Sequence, residues 1–190
     1  MRTLGAIAVV AGVAVLALAM QPNPVSTKVS DDAGKKAPSF SAKASDGKTY
    51  SLESLTKGDK ALVLYFISNT CPINDEAVTY FNQVGKAYKG KNVEFVGVID
   101  GDAELFKEWN SYHKVSFKVL YDPDKKIIES YKAEASPWII VVNPNGEIEK
   151  TYKGYSDKSL QELSDRMAKY GKTKSVKINT EGAPDFVMYG

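Results

Sequence analysis

The sequence predicts an α/β fold in which helices flank a central mixed β-sheet, preceded by an N-terminal β-hairpin. Three observations carry this. Residues 61–67 (ALVLYFI) and 93–99 (VEFVGVI) are apolar runs of strand length, the pattern of strands buried on both faces. Between them Ala77, Tyr80, Phe81, Val84 and Tyr88 recur at three- and four-residue intervals, so an amphipathic helix over 75–88 joins the two strands as a βαβ unit. Later, the apolar run 138–142, the turn residues Asn143-Pro144-Asn145-Gly146 and a segment over 147–152 read as a hairpin that adds an antiparallel edge.

The remaining elements follow in order. Phe40, Ala42 and Ala44 alternate, Asp46-Gly47 is a turn signal, and Tyr50 and Leu52 continue the alternation, so a short hairpin opens the domain. A helix over 103–112 turns Leu105, Phe106 and Trp109 inward. Residues 117–120 read as a short extended piece and 125–131 as a short helix. Ser156 caps a helix over 157–170 with Leu160, Leu163 and Met167 on one face. The tail, 171–190, is polar, contains glycine and shows no period. Most of the 11 tyrosines fall on apolar faces, which assigns them to core packing.

Composition narrows the function. The chain has 190 residues, enough for one domain with a full core. Its 25 basic and 23 acidic side chains leave a net charge of +2, with no basic stripe, so nucleic acid is not an expected partner. One Cys and one His exclude an intrachain disulfide and a Cys/His zinc centre. Asp100, Asp102, Asp122 and Asp124 lack the ligand series of a calcium loop and read as a helix cap and a turn. No metal and no cofactor is expected.

Residues 1–20 form an address. Arg2 precedes the uncharged run LGAIAVVAGVAVLALA over 4–19, and the helix-breaking segment Met20-Gln21-Pro22-Asn23-Pro24 follows, as in a signal peptide. The run is short for a membrane span. Cleavage and release, into a bacterial periplasm, is the favoured reading, and an anchor in the inner membrane through residues 4–19 is the other. Residues 21–36 read as a flexible leader, 37–170 as the folded domain and 171–190 as a tail.

The chemically loaded residue is Cys71. It lies after the strand over 61–67 and before the helix, in Ser68-Asn69-Thr70-Cys71-Pro72-Ile73-Asn74. There Cys71 occupies the helix cap, Pro72 suits the first helical position, and the amides of Ile73 and Asn74 are expected to face the sulfur. The helix terminus favours the thiolate, and Asp75 and Glu76 in the same turn oppose it, so a moderately activated thiol is expected.

Strand, Cys-Pro-x-x, helix, and then Ser136-Pro137 before a strand about 65 residues later, together resemble the thioredoxin-like superfamily. That spacing, with Ala37-Pro38-Ser39-Phe40 and Ser45-Asp46-Gly47-Lys48, is similar to its redoxin branch, the AhpC/TSA and TlpA-like proteins. The resemblance covers about residues 36–170 and implies a three-layer thioredoxin-like fold. It implies a cis Ser136–Pro137 bond, with Ser136, Pro137 and Trp138 positioning a partner backbone beside the catalytic Cys71, and Ser68, Thr70, Pro72 and Asn74 supporting it.

The departures from that pattern matter as much. Asn74 stands where a CxxC motif has its resolving cysteine, and Tyr65 where thioredoxins bury an acid. Leu64 and Ser68 replace the proline and threonine of a peroxiredoxin, and the only Arg beyond residue 20 is Arg166, in the last helix. Two functions remain. One is an exported thiol-disulfide oxidoreductase or one-cysteine redoxin, acting on a disulfide protein or a peroxide and restored by an external thiol. The other is a binding or assembly module that kept the fold without turnover. A Cys71-linked dimer is a further expectation to test. A Cys71–His113 hydrolase dyad is disfavoured, because His113 ends a helix and reads as a surface residue.

Overall fold

The structure, a computed structural model, describes residues 32–190. The signal-peptide and anchor readings, and the leader as far as residue 31, lie outside the described residues.

A five-stranded sheet organises the domain. Its strands are β3 (Ala61–Ile67), β4 (Val93–Ile99), β5 (Lys118–Tyr121), β6 (Trp138–Val142) and β7 (Ile148–Lys153), in the spatial order β5-β4-β3-β6-β7. β3, β4 and β5 run parallel, while β6 and β7 are antiparallel to their neighbours. The predicted βαβ unit and closing hairpin therefore meet along β3. Every residue of β3 is buried, as its unbroken apolar run requires. β1 (Ser41–Lys43) and β2 (Thr49–Ser51) form the separate N-terminal hairpin.

Helices cover both faces. α2 (Pro72–Ala87), α3 (Ala103–His113) and α5 (Asp157–Tyr170) pack against one face, burying Ala77, Phe81, Val84, Trp109, Leu160, Leu163 and Met167 with Tyr65 and Ile139. α1 (Leu52–Thr56), α4 (Lys126–Ser130) and the hairpin cover the other, around Leu62, Leu64, Phe66 and Ile140. α5 begins with a capping box in which the Ser156 and Ser159 side chains each take the other's backbone amide. Asp102 caps α3 by accepting from the amides of Glu104 and Leu105.

Two expectations need correction. Leu52 does not extend the hairpin but starts α1, because Ser51 forms a capping box with Ser54. The leader does not run loose to residue 36. The Gly34 amide donates to the Ile148 carbonyl, the Ile148 amide to Lys35, and the Ala37 amide to Gly146, so the domain begins a few residues earlier. The tail, for which the sequence showed no period, is docked: Ile178 is buried, and the segment threads over α2 and α5.

Candidate thiol site

The site lies where β3 hands over to α2. Asp100, just past β4, fixes that loop. One carboxylate oxygen accepts from the Asn69 amide and from its side chain, both at 2.9 Å, and the other accepts from the Ser68 hydroxyl at 3.1 Å. Asp100 is thus a loop clamp, while Asp102 does the helix capping expected of the pair. Cys71 is the N-cap of α2 and Pro72 its first residue.

The sulfur is not held as expected. The first-turn amides make no hydrogen bond to it; those of Asn74 and Asp75 donate to the Cys71 carbonyl instead. The thiol points across to the loop before β6 and donates to the Ser136 carbonyl at 3.4 Å. The Ser136–Pro137 peptide is cis, and both residues are buried. Sulfur and cis-proline loop, 65 residues apart in sequence, therefore meet in space.

Asn74 carries the polar network beneath the sulfur. It is fully buried, and its Oδ1 accepts from the Tyr65 hydroxyl at 2.6 Å and from the Ser136 hydroxyl at 3.2 Å. The Ser136 hydroxyl accepts in turn from the Ser68 amide at 3.1 Å. Burial, with the nearby charges of Asp75 and Cys71, pushes the Tyr65 phenol well above its usual range, so it stays a hydrogen donor to Asn74. The Asn74 Nδ2 is buried without a partner among the described residues. Two residues that depart from the family pattern, Tyr65 and Asn74, are thus hydrogen-bonded to each other.

An open cleft of about 440 Å³ has the half-buried Cys71 in its wall. Ser68, Thr70, Cys71, Pro72 and Ser136 line it, and Gly190 of the tail closes one side. Its charged lining residues are Asp100, Lys125 and Glu134. Trp138 stands apart from the site. Its ring packs into the sheet face opposite α2, with the Lys153 ammonium 5.2 Å from the ring centroid, so it acts as core rather than as cleft wall.

Two other side chains are placed by the structure. His113 is no open surface residue: its ring stacks on Trp109 with centroids 4.3 Å apart, and its Nε2 lies 3.2 Å from the Asp75 carboxylate. It pairs with the first turn of α2 rather than with the sulfur. Arg166 is tied to Glu149 and Glu162, on the β7–α5 side of the domain.

With fold and site in view, the chain's kinship is clear. The AhpC/TSA family profile matches residues 33–151, and the chain belongs to that family, within the thioredoxin-like redoxin branch. It is 28% identical over 134 residues to the thiol-disulfide oxidoreductase ResA of Bacillus subtilis, covering 70% of this chain and 74% of ResA. It is 29% identical over 151 residues to the candidate peroxiredoxin bcp of Helicobacter pylori, covering 70% of this chain and 97% of that protein. A solved structure of a secreted Mycobacterium tuberculosis disulfide oxidoreductase is 26% identical, with a TM-score of 0.57, covering 68% of this chain and 95% of that one. The relatives thus include both disulfide-exchange and peroxide-reduction names.

Proposed function

We propose that this protein is an exported thiol-disulfide oxidoreductase that works with one cysteine. The observation that carries the reading is the Cys71 sulfur at the N-cap of α2, facing the Ser136 carbonyl beside a cis proline in an open cleft. The Cys71 thiolate attacks one sulfur of a partner's disulfide. A mixed disulfide forms, the partner's S–S bond breaks, and the departing sulfur leaves as a thiolate that takes up a proton. Asn74 offers no second thiol, so an external thiolate attacks the partner's sulfur in the mixed disulfide, forms a new disulfide with it and releases Cys71 as a thiolate. Ser68, Thr70 and Pro72 shape the cleft around the sulfur, and Ser136 presents its backbone N–H and carbonyl to the partner. Export rests on the leader pattern over residues 1–20 and on the secreted relative.

Disulfide exchange is preferred to peroxide reduction on charge. Developing charge on a peroxide oxygen needs cationic or N–H donors aimed at it. Arg166 is committed to Glu149 and Glu162, and two of the three charged residues lining the cleft are acidic.

The second reading, a binding module without turnover, draws on Asn74, which is locked to Tyr65 and Ser136 as a structural residue. One experiment separates the two. Cys71 is titrated with iodoacetamide across pH, and sulfenate is trapped after peroxide treatment. An oxidoreductase shows rapid alkylation and little sulfenate, a peroxidase rapid alkylation and abundant sulfenate. A binding module shows a thiol that reacts no faster than free cysteine.

A further inference from the structure

The last strand-like contact of the molecule is made by its tail. Beyond α5 the chain returns across α2: the Val176 amide donates to the Tyr88 hydroxyl, and the Tyr80 hydroxyl donates to the Glu181 carbonyl. It then reaches the end of the β6–β7 hairpin, where the Gly154 amide still donates to the Pro137 carbonyl. Past that point the two strands part, and the tail fills the gap between them. Met188 and Tyr155 exchange both backbone hydrogen bonds, at 3.0 and 2.9 Å, and Gly190 and Ser136 exchange both at 2.9 Å. Mutual exchange of this kind is the pairing of antiparallel strands.

Two glycines make the fit possible. A Cβ on Gly154 would stand 2.4 Å from the Met188 carbonyl oxygen, and this residue has φ +96, so both space and backbone call for glycine. A Cβ on Gly190 would stand 2.9 Å from the Cys71 sulfur. The tail therefore lays its smallest residue against the thiol. The neighbouring Val187 and Tyr189 face solvent.

Resting on the reading of Cys71 as the exchanging thiol, we propose that residues 184–190 are a built-in strap. They occupy the backbone N–H and carbonyl of Ser136 in place of a partner's extended peptide strand. A partner's sulfur has to come within bonding distance of the Cys71 sulfur, and the Gly190 backbone already lies within one methyl group of it. A partner peptide consequently reaches Cys71 by displacing the tail from Ser136, through the same two backbone hydrogen bonds, as strand addition to a sheet edge does. The strap sets a threshold: a partner that offers only a small disulfide slips past it, and a folded partner has to open it.

The test uses the full chain. Cys71 modification is timed with a bulky polyethylene-glycol maleimide and with iodoacetamide in the unaltered protein, in Met188→Pro and in Gly190→Pro. Each proline deletes one N–H that now bonds Tyr155 or Ser136. Both lie in the strap; Met188 also packs its side chain against the core while Gly190 has none, and circular dichroism checks the fold of each variant. The strap predicts that the bulky reagent reacts at least about five-fold faster in both variants, the factor expected for losing one hydrogen bond of ordinary net strength, while iodoacetamide changes less. Hydrogen exchange in the unaltered chain gives the same answer without substitution, with the Met188 and Gly190 amides slowed relative to free peptide. Equal bulky-reagent rates in all three proteins, or free-peptide exchange at Met188 and Gly190, overturn the strap. Failure of the redox reading looks different. In that case the variants alkylate faster, yet none of the three proteins forms a mixed disulfide with oxidised glutathione.

Discussion

The Tyr65 hydroxyl donates a 2.6 Å hydrogen bond to Oδ1 of Asn74, linking the middle of the central strand to the first turn of the helix that carries Cys71. Both residues are fully buried. The pair stands at two positions where the sequence departs from the family pattern, and the two side chains hold each other in the core. Removing the hydroxyl leaves the Asn74 amide oxygen with the Ser136 hydroxyl alone. Tyr65→Phe is therefore expected to cost about 1–2 kcal/mol, read as a lower urea midpoint with unchanged slope. An unchanged midpoint would mean that the bond adds nothing to the folded state.

Asn74→Cys restores a second thiol one helical turn from the first. Cys71 and position 74 share the first turn of α2, so on mild oxidation the variant is expected to lose two hydrogens in intact mass and to become inert to iodoacetamide. The unaltered chain, with its one Cys, shows neither change within a monomer. A variant that keeps both thiols reactive under the same oxidant contradicts the assigned geometry.

Gly97 marks a tight point in the sheet. It lies in β4 opposite Tyr65 and Val119, and an added Cβ would meet the side chains of Ile67, Phe117 and Val119 at 3.0–3.1 Å. Three neighbours at that distance have to give together. Gly97→Ala is expected to destabilise the domain by about 1–3 kcal/mol in urea unfolding, the usual cost of overfilling a packed core.

Alkaline pH tests the packing under the strap. Burial, followed by the charge of Glu76 and the neighbouring Tyr80, pushes the Tyr155 phenol up to about 12 from an ordinary value of 10.0. The folded state then holds a proton that the unfolded chain releases. The stability this provides is complete below pH 10 and declines as pH rises through about 12. Tyr131, Tyr152 and Tyr170 are raised as well and act in the same direction. Urea midpoints should fall steadily above about pH 10, and Tyr155→Phe should flatten the start of that fall.

The sheet was legible because its signals are local. Unbroken apolar runs mark β3 and β6, a run interrupted only by Glu94 and Gly97 marks β4, and Ser156 and Asp102 announce their helices by side-chain capping. The cap position of Cys71 could likewise be read from residue order, and the cis Ser136–Pro137 bond from family resemblance. The hydrogen bond between Tyr65 and Asn74 could not, since nothing in either residue's neighbourhood names a partner nine positions away across a strand and a helix. Asp100 read as a cap because it sits in Asp100-Gly101-Asp102, and only the fold shows that its carboxylate turns back to Ser68 and Asn69. The tail was the least legible segment. It docks mainly through backbone groups, which leave no side-chain period, and its clues are the two glycines at 154 and 190 where its backbone comes close.

In the proposed function Cys71 exchanges disulfides without a partner thiol in its own chain. The most direct measurement follows the intact mass of the full chain during reaction with oxidised glutathione and then with a free dithiol. Exchange through a lone Cys71 predicts one glutathione adduct, located at Cys71, that the dithiol removes completely, and no adduct in Cys71→Ser. A chain that gains no adduct while iodoacetamide still labels Cys71, or an adduct that the dithiol leaves in place, would contradict it.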